Sequence, residues 1–203
     1  MTLWHRIRDS AVWRGLFAPA EDAAAALALY RRIVAQSRRP EFYIAYRVAD
    51  SLDGRFDVTA LHVFLVLRRL KGEAARGLSQ TLFDAFFEGL DDGLREMGVG
   101  DLAVGKKIRQ MAEAFYGRVA AYDDGLAESH DETLKAALAR NLYRGSEIPD
   151  NILNDMAKYV RRQADHLSGQ SLAALKRGEA TFEAIDGDTK ATQSSATGTS
   201  SAD

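Results

Sequence analysis

Cysteine is absent from the 203-residue chain, and proline occurs only three times. Without cysteine there is no disulfide framework, no thiolate metal site and no thiol nucleophile. With so little proline, long helices run without interruption, and the abundant alanine, leucine, arginine and glutamate are strong helix formers. A cation excess is lacking too. Lysine and arginine number 27 against 29 aspartates and glutamates, a formal net charge of −2. That balance does not suit a dedicated nucleic-acid binder, so no specific DNA binding is expected. No apolar run approaches the length of a membrane-spanning helix. The densest stretch, LHVFLVL at 61–67, is far too short. The amino terminus lacks the apolar core and cleavage site of a secretory signal, so a cytoplasmic location is expected.

What is present reads as one all-α domain over 20–178, preceded by a basic-aromatic arm at 1–19 and followed by a disordered polar tail at 179–203. In the arm, Trp4, Trp13 and Phe17 accompany Arg6, Arg8 and Arg14. That mixture can sit at a membrane surface, but a helical arm packed on its own domain is the favoured reading, because short amphipathic helices are common in soluble proteins. The spacing predicts helices over 19–40, over 58–71 with Asp57 as N-cap, and over 78–98, 102–123, 129–145 and 148–167. Between Pro40 and Asp57 a short helix is expected, then a loop at SLDGRFD. Residues Val63–Leu67 are apolar around the whole helical circumference, which marks a central helix. On the helix at 78–98, Gly89 and Gly93 lie one turn apart, and tolerating both points to close approach by another helix. The tail is small and polar and buries too little to offset the entropy of ordering.

The stretch EMGVGDLAVGKKIRQMAEAFYGR at 96–118 joins two long helices. Gly98 suits a left-handed helix end, and Asp101 an N-cap for the next helix. GVGDLAVGKK has the G-x-x-x-x-G-K spacing of a phosphate loop. However, Lys107 stands where a hydroxyl should hold magnesium, Asp101 would put negative charge in an anion cradle, and no strand precedes it. A capped corner is the better reading. Lys106, Lys107 and Arg109 lie in the first turns of the second helix, where cations are unfavourable. They are either a solvated face or a patch for a partner. Phe115 and Met111 fall on the buried stripe, whereas Tyr116 and Arg118 lie off it.

Catalytic and metal signatures are weak. His5, His62, His130 and His166 show no H-x-x-x-H or paired Glu-x-x-His spacing. Asp91–Asp92 and Asp123–Asp124 are adjacent on helices and diverge. There is no nucleophile elbow. His62, just before the apolar run, reads as a packed and hydrogen-bonded core histidine. No cofactor is expected.

FYIAYRVADSLDGRFDVTALHVFLVLRRL at 42–70, EMGVGDLAV at 96–104 and MAEAFYGR at 111–118 resemble the ubiquinol–cytochrome c chaperone family, over about residues 30–143. The resemblance implies a bacterial, all-helical, non-enzymatic assembly factor. It implies as partners unassembled cytochrome b, the ribosome near its tunnel exit and a small partner subunit, with peripheral contact at the cytoplasmic face of the inner membrane. Candidate partner-binding residues are Met97, Val99, Asp101, Lys106, Lys107, Arg109, Tyr116 and Arg118. Trp4, Arg6, Arg8, Trp13, Arg14 and Phe17 are the candidate membrane-surface set. Two other classes stay open: an enzyme or small-ligand binder with a pocket between helices, and a peripheral membrane-interaction module.

Overall fold

A computed structural model describes residues 20–185. The arm, with all its candidate membrane-surface residues, and the tail from residue 186 lie outside that range. Eight α-helices, one 3₁₀ turn and no strand make up the described residues. They are α1 (Ala20–Ser37), α2 (Glu41–Ile44), α3 (Leu52–Arg69), α4 (Arg76–Glu96), α5 (Asp101–Ala127), α6 (Glu132–Asn141), α7 (Asp150–Gly169) and α8 (Leu172–Lys176).

The centre is α3. Every residue from Ala60 to Leu67 is at most 1% exposed. The continuous apolar run therefore meets neighbours on all sides: α1, α4, α5 and α7. Each large side chain sealed there contributes about 1.5–3 kcal/mol. Helix α1 lies along α4, and the Tyr30 side chain of α1 reaches over Gly89, where a Cβ would sit 2.4 Å from its hydroxyl. Gly93, one turn on, has open space instead. At Gly89 the missing side chain leaves room for the Tyr30 ring, whereas Gly93 faces no neighbour.

Several expected boundaries move. SLDGRFD is not a loop but the first turns of α3. Ser51 is its N-cap, its hydroxyl accepting the Gly54 N–H at 3.1 Å. Gly54 is required because a Cβ there would fall 1.9 Å from the Ala49 carbonyl oxygen. Asp57, expected as the cap, lies inside α3 and is fully buried. Pro40 does not stop a helix that reaches it; α1 ends at Ser37, and Pro40 is the N-cap of α2. Gly145 has a positive φ of 74°, but it follows Arg144, itself left-handed at φ 54°, beyond the Leu142 cap of α6.

The segment after α8 packs against the helices as far as residue 185. Ala180 and Ile185 are 1% exposed. Two glutamine amides of α7 and its end hold this segment as a neighbouring strand would. Gln163 donates to the Glu183 carbonyl at 3.1 Å and accepts the Glu183 N–H at 3.0 Å. Gln170 does the same with Thr181 at 2.8 and 2.9 Å.

Candidate docking site at the helical corner

The corner between α4 and α5 is built from backbone chemistry. Helix α4 ends when Gly98 turns left-handed at φ 80°. The Gly98 N–H then bonds the Arg95 carbonyl at 2.9 Å, and the Val99 N–H bonds the Leu94 carbonyl at 3.1 Å. This pair satisfies carbonyls that a helix end otherwise leaves open. Gly100, extended, occupies the N-cap of α5, and its carbonyl receives the Ala103 and Val104 N–H groups at 2.8 and 3.0 Å. Asp101 is therefore the first helical residue and not the cap. Its carboxylate pairs with Arg95, which also pairs with Asp91 one turn back in α4. Arg95 thus staples the two helices across the turn. Its i,i+4 spacing from Asp91 is a sequence signal, whereas the bond across the corner needs the folded turn.

The candidate residues divide into two sets. Met97, at 53% exposure, stands out at the tip. Val99 is half-buried, and Asp101, Lys106, Lys107 and Arg109 are exposed. Among the described residues, none of Lys106, Lys107 and Arg109 has an ion-pair partner. Asp101, Gly105, Lys106, Arg109 and Gln110 line an open depression of about 520 Å³. On the facing helix, Glu88, Asp92 and Glu96 are exposed. The tip is consequently acidic along α4 and basic along α5.

Tyr116 and Arg118 are drawn inward, contrary to the surface role expected for them. Tyr116 is half-buried and stacks on Phe83 with ring centroids 5.7 Å apart. Only 11% of the Arg118 side chain is exposed. It donates to Asp57 Oδ1 at 2.8 Å and lies 5.5 Å from the centre of the Phe56 ring. Arg144 donates to the other oxygen of Asp57 at 2.7 Å and reaches Asp53 at 3.1 Å. Burial pushes the Asp57 carboxyl up, while the Arg144 hydrogen bond and both guanidinium charges pull it down. The network ties α3, α5 and the segment after α6 together. Sequence reasoning missed it because Asp57 and Arg144 are 87 positions apart and no local pattern links them.

A second buried polar tie lies on the opposite side of α3. His62 Nδ1 donates to the Val58 carbonyl at 2.8 Å, and its Nε2 accepts from the Tyr159 hydroxyl at 2.7 Å. The Tyr159 oxygen in turn accepts from Gln36 at 3.0 Å. Burial holds the imidazole neutral, its pKa lowered to about 4. This matches the packed, hydrogen-bonded core histidine expected from the sequence. The arrangement links α1, α3 and α7 and leaves neither ring nitrogen free for a substrate. Among the described residues no cluster of three or more His, Asp or Glu side chains is placed to hold a metal ion. No helix among them is long and apolar enough to cross a membrane.

Together these features define, among the described residues, an all-helical scaffold with two buried polar ties and an exposed, charged corner. Residues 45–182 match the ubiquinol-cytochrome C chaperone family, and the chain belongs to it. It is 31% identical over 166 residues to the ubiquinol-cytochrome-c reductase complex assembly factor 1 of Xenopus laevis, covering 79% of this chain and 82% of that protein. To the human protein of that name it is 30% identical over 167 residues, covering 79% of this chain but 54% of the relative. The chain thus spans about half the length of the human relative. The crystal structure of the Cbp3 homolog from Brucella abortus superposes with a TM-score of 0.74 at 37% identity, covering 82% of this chain and 93% of that one.

Proposed function

We propose that the chain is a non-enzymatic chaperone that holds newly made cytochrome b until it joins the ubiquinol–cytochrome c reductase, with the α4–α5 corner as part of the holding surface. The observation that supports this reading is the match to a family of reductase assembly chaperones over residues 45–182, a span that contains the whole hairpin. The chemistry of the corner fits such a client. Membrane subunits awaiting insertion present apolar helices and cationic cytoplasmic loops. Met97 offers an unbranched, adaptable apolar contact. The exposed carboxylates of α4 suit cationic loops, and the free cations of α5 suit an acidic partner such as the ribosome surface or a small companion subunit. The proposed place of action is the cytoplasmic face of the inner membrane.

A photo-crosslinking residue placed at Met97 or Lys107 in growing cells tests the reading, with exposed Ala136 on α6 as control position. Cytochrome b is expected in the adducts from the corner and not from Ala136. Recovery of neither cytochrome b nor ribosomal proteins from both corner positions would overturn the proposal. So would a deletion strain with an unchanged cytochrome b level and unchanged reductase activity.

A further inference from the structure

We infer that the bend between α1 and α3, with Ile44 at its apex, is a contact for an anionic lipid surface. Ile44 is 78% exposed, more than Met97 at 53%, Leu52 at 46% or Leu27 at 44%. This exposure is not fraying. The Ile44 N–H bonds the Pro40 carbonyl at 2.9 Å, and the Tyr43 hydroxyl donates to the Ser37 carbonyl at 2.8 Å. Phe42, two residues back, is fully buried, edge-on to both His62 and Tyr159 at 5.2 and 5.3 Å. The buried phenylalanine fixes the short helix, and the isoleucine is held outward.

The surroundings of Ile44 are cationic in a chain whose net charge is −2. Residues 31–55 carry six arginines and three carboxylates. Each carboxylate is already engaged: Glu41 by Arg39 at 3.1 Å, Asp50 by Arg55 at 2.7 Å and Asp53 by Arg144 at 3.1 Å. Arg38 and Arg47 are exposed and have no ion-pair partner among the described residues. Arg38, Pro40, Tyr43, Ile44, Asp50 and Arg55 line one open depression of about 380 Å³. A protruding aliphatic residue beside a tyrosine and the unpaired Arg38, with exposed Arg47 three residues further along the chain, matches the layering of a bilayer interface. The apolar tip enters the acyl boundary, the aromatic ring sits at headgroup level and the cations meet phosphates. A lone isoleucine is too small to be the apolar core of a stable protein–protein interface.

Co-sedimentation of the full chain with vesicles is the test, using phosphatidylcholine alone and phosphatidylcholine mixed with phosphatidylglycerol. Binding is expected only to the mixed vesicles and is expected to weaken with salt. Ile44→Ser should weaken it about tenfold, from the lost burial of one aliphatic side chain. Removing Arg38 and Arg47 together should weaken it about 25-fold, at roughly fivefold for each charge near an anionic surface. Met97→Ser should leave it unchanged. Because the chain has no cysteine, Ile44→Cys takes a single polarity-sensitive dye, whose emission should shift to the blue on the mixed vesicles. Equal binding to both vesicle types overturns the inference, as does an unshifted dye. Parental binding by the Ile44 and arginine variants overturns it too, including the case where only neutralising Arg6, Arg8 and Arg14 releases the protein. It also falls if those variants lose affinity for single-stranded RNA while vesicle binding stands.

Discussion

The two ends of the α4–α5 hairpin are made from similar residues and have opposite properties. Away from the corner, α5 is locked. Gly125 lies so close to α6 that a Cβ would fall 2.6 Å from the Leu134 Cα, Tyr122 is 1% exposed, and Arg118 is committed to Asp57. At the corner, Gly93, Gly98, Gly100 and Gly105 have nothing within 4 Å of where a Cβ would stand. The charged side chains there face solvent. The same residue type marks a tight packing contact at one end and open backbone at the other. Tight packing and open surface are thereby separated along one pair of helices, as the proposed docking role of the corner requires. The corner can change its surface without disturbing what holds the domain together.

Breaking the Asp57 network is the strongest test of that separation. Asp57→Ala removes the carboxylate shared by Arg118 and Arg144 and leaves Arg118 largely buried without a counter-charge. Loss of one member of a buried pair typically destabilises by about 3–5 kcal/mol. Asp101→Ala removes a carboxylate from an exposed pair at the corner, where the expected loss is below about 1 kcal/mol. Urea unfolding of the two variants measures the contrast directly. Comparable losses would mean that the ends of the hairpin are not energetically distinct.

The next effect is set by pH and acts on the buried side of α3. Folded His62 stays neutral down to about pH 4, whereas in the unfolded chain it protonates near its ordinary value of 6.5. Between these two values the unfolded state binds more protons. Stability is therefore intact above about pH 6.5 and is lost as the pH falls towards 4, by on the order of 3 kcal/mol from this residue. His62→Gln keeps hydrogen-bonding capacity but cannot titrate. Its stability should fall less steeply than the parent's across that window, although carboxylates common to both proteins still titrate. Parallel curves for the two proteins would remove His62 from the account.

Much of this architecture is legible in the residues themselves, and what is not has identifiable physical causes. The apolar stripes locate α3 to α7, and the ring of apolar residues at 63–67 marks α3 as central, because periodicity and burial are local properties of a sequence. Gly98 is readable as the end of α4 because a left-handed residue there is cheap only for glycine. The start of α3 is misread because Gly54 and its neighbouring aspartates resemble a loop. Only the fold reveals that Gly54 is there for the Ala49 carbonyl packed against it. The corner of the candidate site is likewise visible in the glycines and the paired lysines. The inward turn of Arg118 is not, since its partner Asp57 lies 61 positions away. Ile44 escapes notice for a related reason: among Phe42, Tyr43 and Tyr46 nothing local says which apolar residue faces out.

The smallest effects draw the finest line between the two ends, because they use one chemical change at two sites of one helix. Gly125→Ala adds a methyl group against the backbone of Leu134, at 2.6 Å from its Cα and 2.8 Å from its nitrogen. No flexible side-chain end is available there to swing aside, so the helices must separate. Overpacking of this kind destabilises by about 1–3 kcal/mol. Gly105→Ala adds the same methyl to open space near the corner. The gain in helix propensity then stands alone, and the variant should be more stable than the parent by up to about 1 kcal/mol. Thermal or urea unfolding of the two alanine variants should therefore move in opposite directions. If Gly105→Ala also destabilised, the corner would have to be packed against something, and the claim that its surface is free to receive a partner would lose its physical basis.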